Sequence, residues 1–322
     1  MKNMQAGELS ALFQAKTVFL MEGALGERLK AEYGLAIDGP VAMASLVRQE
    51  AGRRALAALW REYLAMAQQA GLPFLATTPT RRANKERMVA AGYGEELLEE
   101  NVAFLKEVLK GSTVPAFAGA LMGCKGDAYT GEGALTEEEA YEFHFWAAQG
   151  FFHAGAAFLY AGILPTLPEA KGMARAMAQT GLPYFLSFTI VPEGTLVDGT
   201  PIAEAIRAID ALPGPKPLGY FSNCVHPQVV AMAYRAPCNR GRQEMKRFVG
   251  VQANATLARL SDLEGENRPA PTDPKKWAQQ MAELFGTFQV FGGCCGTDGT
   301  YMRELAMRLS AKRQKQQQSS ES

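Results

Sequence analysis

Eight short, unbroken apolar runs recur along the chain, and their repetition restricts the fold more than any single motif does. They lie at 17–21, 73–76, 114–121, 157–161, 184–190, 218–222, 248–252 and 288–291. A strand with one wet face alternates apolar and polar residues, whereas a parallel strand covered on both faces reads as continuous apolar sequence. Segments with helical apolar spacing separate the runs, at 55–69, 95–110, 136–153, 167–179, 201–209, 227–234, 277–284 and 301–309. A further short helix at 8–16, with Leu9, Leu12 and Phe13 on one face, precedes the first run. Eight strand–helix units in 322 residues predict an α/β chain folded as a (β/α)8 TIM barrel, with its chemistry at the C-terminal ends of the strands. A doubly wound open sheet satisfies the same alternation. The ring is preferred because Glu22, Cys224 and the adjacent pair Cys294 and Cys295 end the first, sixth and eighth runs, which a closed barrel brings together.

No composition shift divides the chain, so residues 1–311 read as a single barrel domain and 312–322, polar and without an apolar anchor, as a disordered, solvated tail. The stretch 262–275, rich in charge and proline, reads as a loop, a lid or a docking segment. Lys plus Arg and Asp plus Glu both number 33, which gives no electrostatic reason to expect nucleic acid or an anionic membrane as partner. No apolar stretch approaches the roughly 20 residues of a membrane span, and the first residues have no signal-peptide core. A cytoplasmic protein with a small-molecule ligand is expected, and a homo-oligomer is compatible with everything above.

The five cysteines do not form a secreted disulfide framework. Cys294 and Cys295 stand in Gly292-Gly293-Cys294-Cys295-Gly296-Thr297. In a regular strand adjacent side chains point to opposite faces, but the flanking glycines open backbone conformations that turn both thiols into one pocket. With Cys224 they make three soft donors, a recognised zinc arrangement. On spacing alone, core packing, a redox pair or a phosphate-binding glycine turn stand beside the metal reading. A redox pair lacks the CxxC helix start that depresses a thiol pKa, and phosphate binding leaves the cysteines unexplained. Cys124 and Cys238 read as core filler, and His144, His153 and His226 as structural. No Ser-His-Asp, Walker-type or HExxH pattern is present.

The string Gly-Gly-Cys-Cys-Gly-Thr at 292–297, the pair Asn223-Cys224 and the early Glu22-Gly23-Ala24-Leu25-Gly26 together resemble the homocysteine S-methyltransferase family over nearly the whole chain. The resemblance implies a Zn2+ held by Cys224, Cys294 and Cys295, with the fourth position left to the thiol of a methyl acceptor. It implies a methyl-onium donor, since this chain holds no second domain for a pterin or a corrinoid. Glu22 replaces the family's aspartate, and with Gly23 it is expected to hold a polar or cationic group of the substrate. Asn223 and Thr297 are expected to donate hydrogen bonds to sulfur. Two stretches depart from the family pattern. Thr77-Thr78-Pro79-Thr80 replaces Thr-Asn-Thr, with Thr78 expected at the substrate, and Tyr160-Ala161-Gly162 replaces Phe-Glu-Thr. The second change removes the carboxylate that receives the amino group of homocysteine, so Tyr160 and Ala161 are expected to line a pocket for homocysteine or a related thiol lacking that contact. A zinc-binding barrel that senses thiols without methyl transfer is the alternative.

Overall fold

The computed structural model describes residues 4–258 and 269–321. Eight parallel strands close into a ring in sequence order: β1 (Phe19–Met21), β2 (Phe74–Thr77), β3 (Ala116–Gly123), β4 (Phe158–Leu164), β5 (Tyr184–Phe188), β6 (Gly219–Val225), β7 (Phe248–Ala253) and β8 (Val290–Gly293). The ring shuts where Phe19 pairs with Val290 and Leu20 with Phe291. The open-sheet alternative is thereby excluded.

The continuous apolar runs have the predicted cause. Along β1, Phe19 and Met21 face the barrel interior with Leu75, Phe117, Phe158, Tyr160, Phe185, Phe221, Val249 and Val290. Leu20 points the other way, into the layer between strands and helices with Phe74, Ala76, Leu159 and Ala161. Both faces are dry, so neither position in the two-residue period calls for a polar side chain.

Among the described residues the outer layer comprises α2 (Gly26–Tyr33), α3 (Glu50–Ala70), α4 (Lys85–Ala90), α5 (Glu96–Leu109), α6 (Glu137–His153), α7 (Leu167–Ala178), α8 (Ile202–Asp210), α9 (Pro227–Arg235), α10 (Pro274–Glu283) and α11 (Gly299–Glu321), after an initial α1 (Met4–Gln14). The apolar face anticipated on α1 plugs the N-terminal end of the barrel. Phe13 packs against Phe19 and Phe185 at ring-centroid distances of 6.3 and 5.4 Å, and the Phe13 carbonyl accepts a hydrogen bond from Gln289 Nε2. The opposite, C-terminal mouth is left open for ligands. α2 and α4, absent from the sequence reading, are short insertions, and the first turns of α2 line that mouth.

The terminal segment differs from expectation. Residues from 312 continue α11 to Glu321 as helix, with Lys312 and residues 314–318 exposed and Arg313 Nη1 donating to the Gly71 carbonyl at 2.6 Å. A polar sequence of Lys, Arg and Gln propagates a helix already nucleated by the apolar turns before it, because these residues cost little in helix propensity. Of the charged loop at 262–275, positions 262–268 lie outside the described residues. Its far end is pinned: Thr272 N donates to the Ala255 carbonyl, Tyr301 Oη donates to the Thr272 carbonyl, and Asp273 caps α10.

Candidate metal centre

Two strands reach the mouth with a break in their register. In β6 the pairing with β7 shifts between Asn223 and Val225, and Cys224 takes φ +62°. In β4 the pairing with β5 shifts between Ala161 and Leu164, and Ile163 takes φ +50°. Left-handed backbone is unfavourable for a non-glycine residue, most of all a β-branched one, and persists where the surroundings fix it. One side chain braces both breaks. Asn223 Oδ1 accepts hydrogen bonds from Ile163 N at 2.9 Å and Ser187 Oγ at 2.6 Å. The bulge turns the Cys224 sulfur into the mouth, where only 4 % of the residue remains exposed.

The other two sulfurs come from the turn after β8. Cys294 N donates to the Ala253 carbonyl and Ala255 N to the Cys295 carbonyl, which ties the turn to the end of β7. Gly293 is required for close packing, since a Cβ there would lie 2.2 Å from Thr297 Oγ1. Gly296, at φ +77°, closes the turn in the left-handed region. Its N–H is held by the Glu27 carboxylate.

The three thiols converge. Cys224 Sγ lies 3.3 Å from Cys294 Sγ and 3.5 Å from Cys295 Sγ, and all three sulfurs fall within 4.8 Å of one another. All are free cysteines. Zn–S bonds of 2.3 Å at tetrahedral angles place sulfurs about 3.8 Å apart, and the triad is close to that spacing before any adjustment. The donor set therefore fits a soft divalent cation. Hydrogen bonds from the Cys294 and Cys295 thiols hold Cys224 well below the ordinary thiol pKa, and their contact with Cys224 holds those two well above it. A divalent cation seated among the three sulfurs would displace their protons.

Glu22 stands at the end of β1 in the same cavity of about 460 Å³, which is also lined by Thr77, Thr78, Arg81, Tyr129, Tyr160 and Ile163. Its Oε1 accepts from Thr77 Oγ1 at 2.5 Å and Thr77 N at 3.1 Å, while Oε2 is buried without a partner among the described residues. Burial pushes the carboxyl up to about 7, against the opposing hydrogen bonds from Thr77. Gly23 follows at the same wall. A larger hollow of about 870 Å³ lies at the opposite end of the barrel between α1 and the end of α5, lined by Glu8, Lys106 and Lys110. Barrels do not place their chemistry at that end, and no thiol reaches it.

The remaining sequence expectations divide. Asn223 and Thr297 adjoin the cysteines but donate to no sulfur among the described residues. Asn223 is the brace described above, and Thr297 Oγ1 donates to the Cys294 carbonyl at 2.6 Å, a local cap. The sulfur contact comes instead from Tyr129, whose Oη lies 3.0 Å from Cys224 Sγ. Desolvation raises the Tyr129 pKa, and the charge of Cys224 raises it further, so the phenol stays neutral and donates. Tyr129 sits mid-loop between β3 and α6, where no spacing pattern marks it. Thr78 is buried in the cavity wall with Oγ1 against Thr80 Oγ1 at 2.6 Å, and the backbone N–H of Leu121 donates to it. Tyr160 faces inward and packs on Phe221. Ala161 does not line the cavity. The period of two that turns Tyr160 inward sends Ala161 into the outer layer against the helices. Gly162 packs under Leu121, where a Cβ would lie 2.9 Å from Leu121 Cδ1, and the residue of this stretch that lines the cavity is Ile163. His226 is structural as expected: Nδ1 accepts from Gln228 N at the start of α9, and burial lowers its pKa to about 4.

Comparison with known proteins agrees with this geometry. A family model described as homocysteine S-methyltransferase matches residues 19–309. Homocysteine S-methyltransferase YbgG of Bacillus subtilis is 29% identical over 192 residues, which cover 56% of this chain and 56% of that protein. The methionine synthase of Mycobacterium tuberculosis is 30% identical over 172 residues, 51% of this chain and 14% of that protein, and that of Mycobacterium leprae 31% over 144 residues, 43% and 11%. The matched regions thus span well under two thirds of these relatives. The metallated form of the Escherichia coli homocysteine methyltransferase MmuM superposes with a TM-score of 0.73 at 19% identity, covering 93% of this chain and 99% of that one. With the barrel, the paired cysteines after β8 and the match over 19–309 in hand, the chain belongs to the homocysteine S-methyltransferase family.

Proposed function

We propose that the protein is a zinc-dependent S-methyltransferase that moves a methyl group from an onium donor to a small thiol, homocysteine or a related one. The observation that carries this reading is the convergence of three free sulfurs within 4.8 Å in the mouth of the barrel, beside a buried carboxyl with one unpartnered oxygen. Cys224, Cys294 and Cys295 would hold the metal. When bound, zinc on three sulfurs favours the thiolate of an incoming thiol at neutral pH.

The chain's own residues supply the rest. Glu22, raised to about 7, is poised to take up or release a proton at neutral pH, and its free Oε2 is the group available to a polar or cationic end of the substrate. Tyr129 and Tyr160 line the same cavity, and aromatic faces suit an onium cation. The acceptor thiolate attacks the methyl carbon, the S–CH3 bond forms as the bond from methyl to the onium centre breaks, and the donor leaves as a neutral sulfide or amine. The residues that β4 contributes to the cavity wall are Tyr160 and Ile163, and neither is a carboxylate. A buried ammonium without an opposite charge costs several kcal/mol, so a thiol without an α-amino group is expected to compete with homocysteine. The three free thiols suit the reducing cytoplasm, and among the described residues no helix is long and apolar enough to cross a membrane.

The test is incubation of purified protein with homocysteine or 4-mercaptobutyrate and a sulfonium or quaternary ammonium donor, with and without a zinc chelator. Thioether formation is followed by mass spectrometry. Chelator-sensitive product is expected. Absence of product with every pair, in protein shown to carry zinc, would overturn the methyl-transfer reading.

A further inference from the structure

The methyl-transfer reading leaves unused a buried ionisable pair in the helix layer, His144 on α6 and Glu169 in the first turn of α7. Glu169 is fully buried and His144 is 2 % exposed. His144 Nε2 lies 3.1 Å from Glu169 Oε1. The helices that carry them are pressed together, since a Cβ at Gly172 of α7 would lie 2.2 Å from the Glu137 carbonyl of α6. The pair therefore has little freedom to shift.

The Glu169 carboxyl does more than meet the histidine. Oε1 accepts from the backbone N–H of Lys125 at 2.7 Å, and Oε2 from that of Leu135 at 3.4 Å. Lys125 opens the loop between β3 and α6 and Leu135 ends it, so one carboxyl ties both ends of the segment. Within the loop, Asp127 Oδ1 accepts from Tyr129 N, Thr130 N and Thr130 Oγ1 at 2.8, 2.7 and 3.0 Å. Asp127 N also donates to the Glu132 carbonyl at 2.8 Å. The segment is a braced unit tied at both ends to the buried Glu169 side chain of α7, and its middle carries Tyr129, 3.0 Å from Cys224 Sγ.

We propose that Glu169, held by His144, is a positioning residue of the candidate site: it pins both ends of the β3–α6 loop and thereby keeps the Tyr129 hydroxyl on the Cys224 sulfur. The proposal rests on the triad being the reactive centre. Its test needs neither metal nor methyl transfer, so the two fail separately. In Glu169→Gln an amide N–H2 must face a backbone donor whichever way it turns. Either Lys125 or Leu135 then loses its acceptor, and a buried donor left unmade favours local opening.

The experiment is alkylation of the full chain by iodoacetamide after chelation of bound metal, followed peptide by peptide in a mass spectrometer. Cys238, whose Sγ contacts the Glu193 and Gly194 carbonyls far from the loop, is the internal control for general loosening. Glu169→Gln and Tyr129→Phe are each expected to raise the Cys224 rate roughly tenfold with Cys238 unchanged. The double variant is expected to match the single ones, because Glu169 acts through Tyr129. An unchanged Cys224 rate, an equal rise at Cys238, or multiplication of the two effects in the double variant would each overturn the proposal. If Glu169→Gln does not accumulate as folded protein, His144→Phe, which removes one of the donors on Glu169, enters the same cycle with the same criteria.

Discussion

Replacing Glu22 by Gln should remove a pH dependence of stability that a carboxylate at this position imposes. Glu22 is 3 % exposed, and burial raises its folded-state pKa from 4.5 to about 7. The folded chain therefore holds a proton that the unfolded chain releases between those values, and stability falls as pH rises through that window. Below about 4.5 the carboxyl is protonated in both states and contributes nothing; above about 7 the full cost of a buried carboxylate applies. A rise from 4.5 to about 7 corresponds to roughly 3 kcal/mol at 1.36 kcal/mol per pH unit. For 322 residues the unfolding entropy is about 0.7 kcal/mol/K, so the effect is about 5 °C in Tm. Gln resembles the protonated form: its carbonyl oxygen can still accept from Thr77 N and Oγ1. Metal-free wild type and Glu22→Gln, melted in parallel from pH 5 to 8.5, should coincide near pH 5 and diverge by about 5 °C in favour of the variant above pH 8. The comparison cancels His226, whose lowered pKa tilts both curves equally. Melting curves that stay parallel across the range would show that Glu22 titrates as an ordinary carboxylate, and its proposed role as a proton acceptor would go with that result.

Serine in place of Cys224, Cys294 or Cys295 should each release zinc in a metal analysis, while Cys124→Ser and Cys238→Ser, whose thiols hydrogen-bond to backbone carbonyls and stand outside the converged triad, should retain it. Ala161→Glu should lower Tm by many degrees and leave thiol preference alone, because it buries a charge in the outer layer; folded protein with altered preference would show that position 161 reaches the cavity. Phe13→Ala should cost about 3–5 kcal/mol in urea denaturation by opening a void under the barrel, with zinc content unchanged because the triad lies at the other end.

The barrel was legible because its cause is periodic. Both faces of each strand are dry, and that is written residue by residue, from Phe19 inward and Leu20 outward to Val290 inward and Phe291 outward. The cysteines were legible through the resemblance that Gly-Gly-Cys-Cys-Gly-Thr and Asn223-Cys224 carry, since three soft side chains at strand ends left core packing and a redox pair open on spacing alone. What escaped the sequence depends on directions that no run of residues encodes. The register break at 161–164 decides that Ile163, and not Ala161, lines the cavity, and it is stabilised by a side chain from another strand, Asn223. The polar tail read as disordered because its composition lacks an anchor, whereas its helix is inherited from the turns before it. Tyr129 was invisible for the same kind of reason: its place over Cys224 is set by Glu169, which lies 40 residues further along the chain on another helix. The cysteine triad is local to strand ends and survives in the sequence as a motif. The groups around the triad are held from a distance, by hydrogen bonds to backbone that any sequence presents. The specificity of this site must therefore be sought by perturbing the braces, Asn223 and Glu169, as much as the residues that line the cavity.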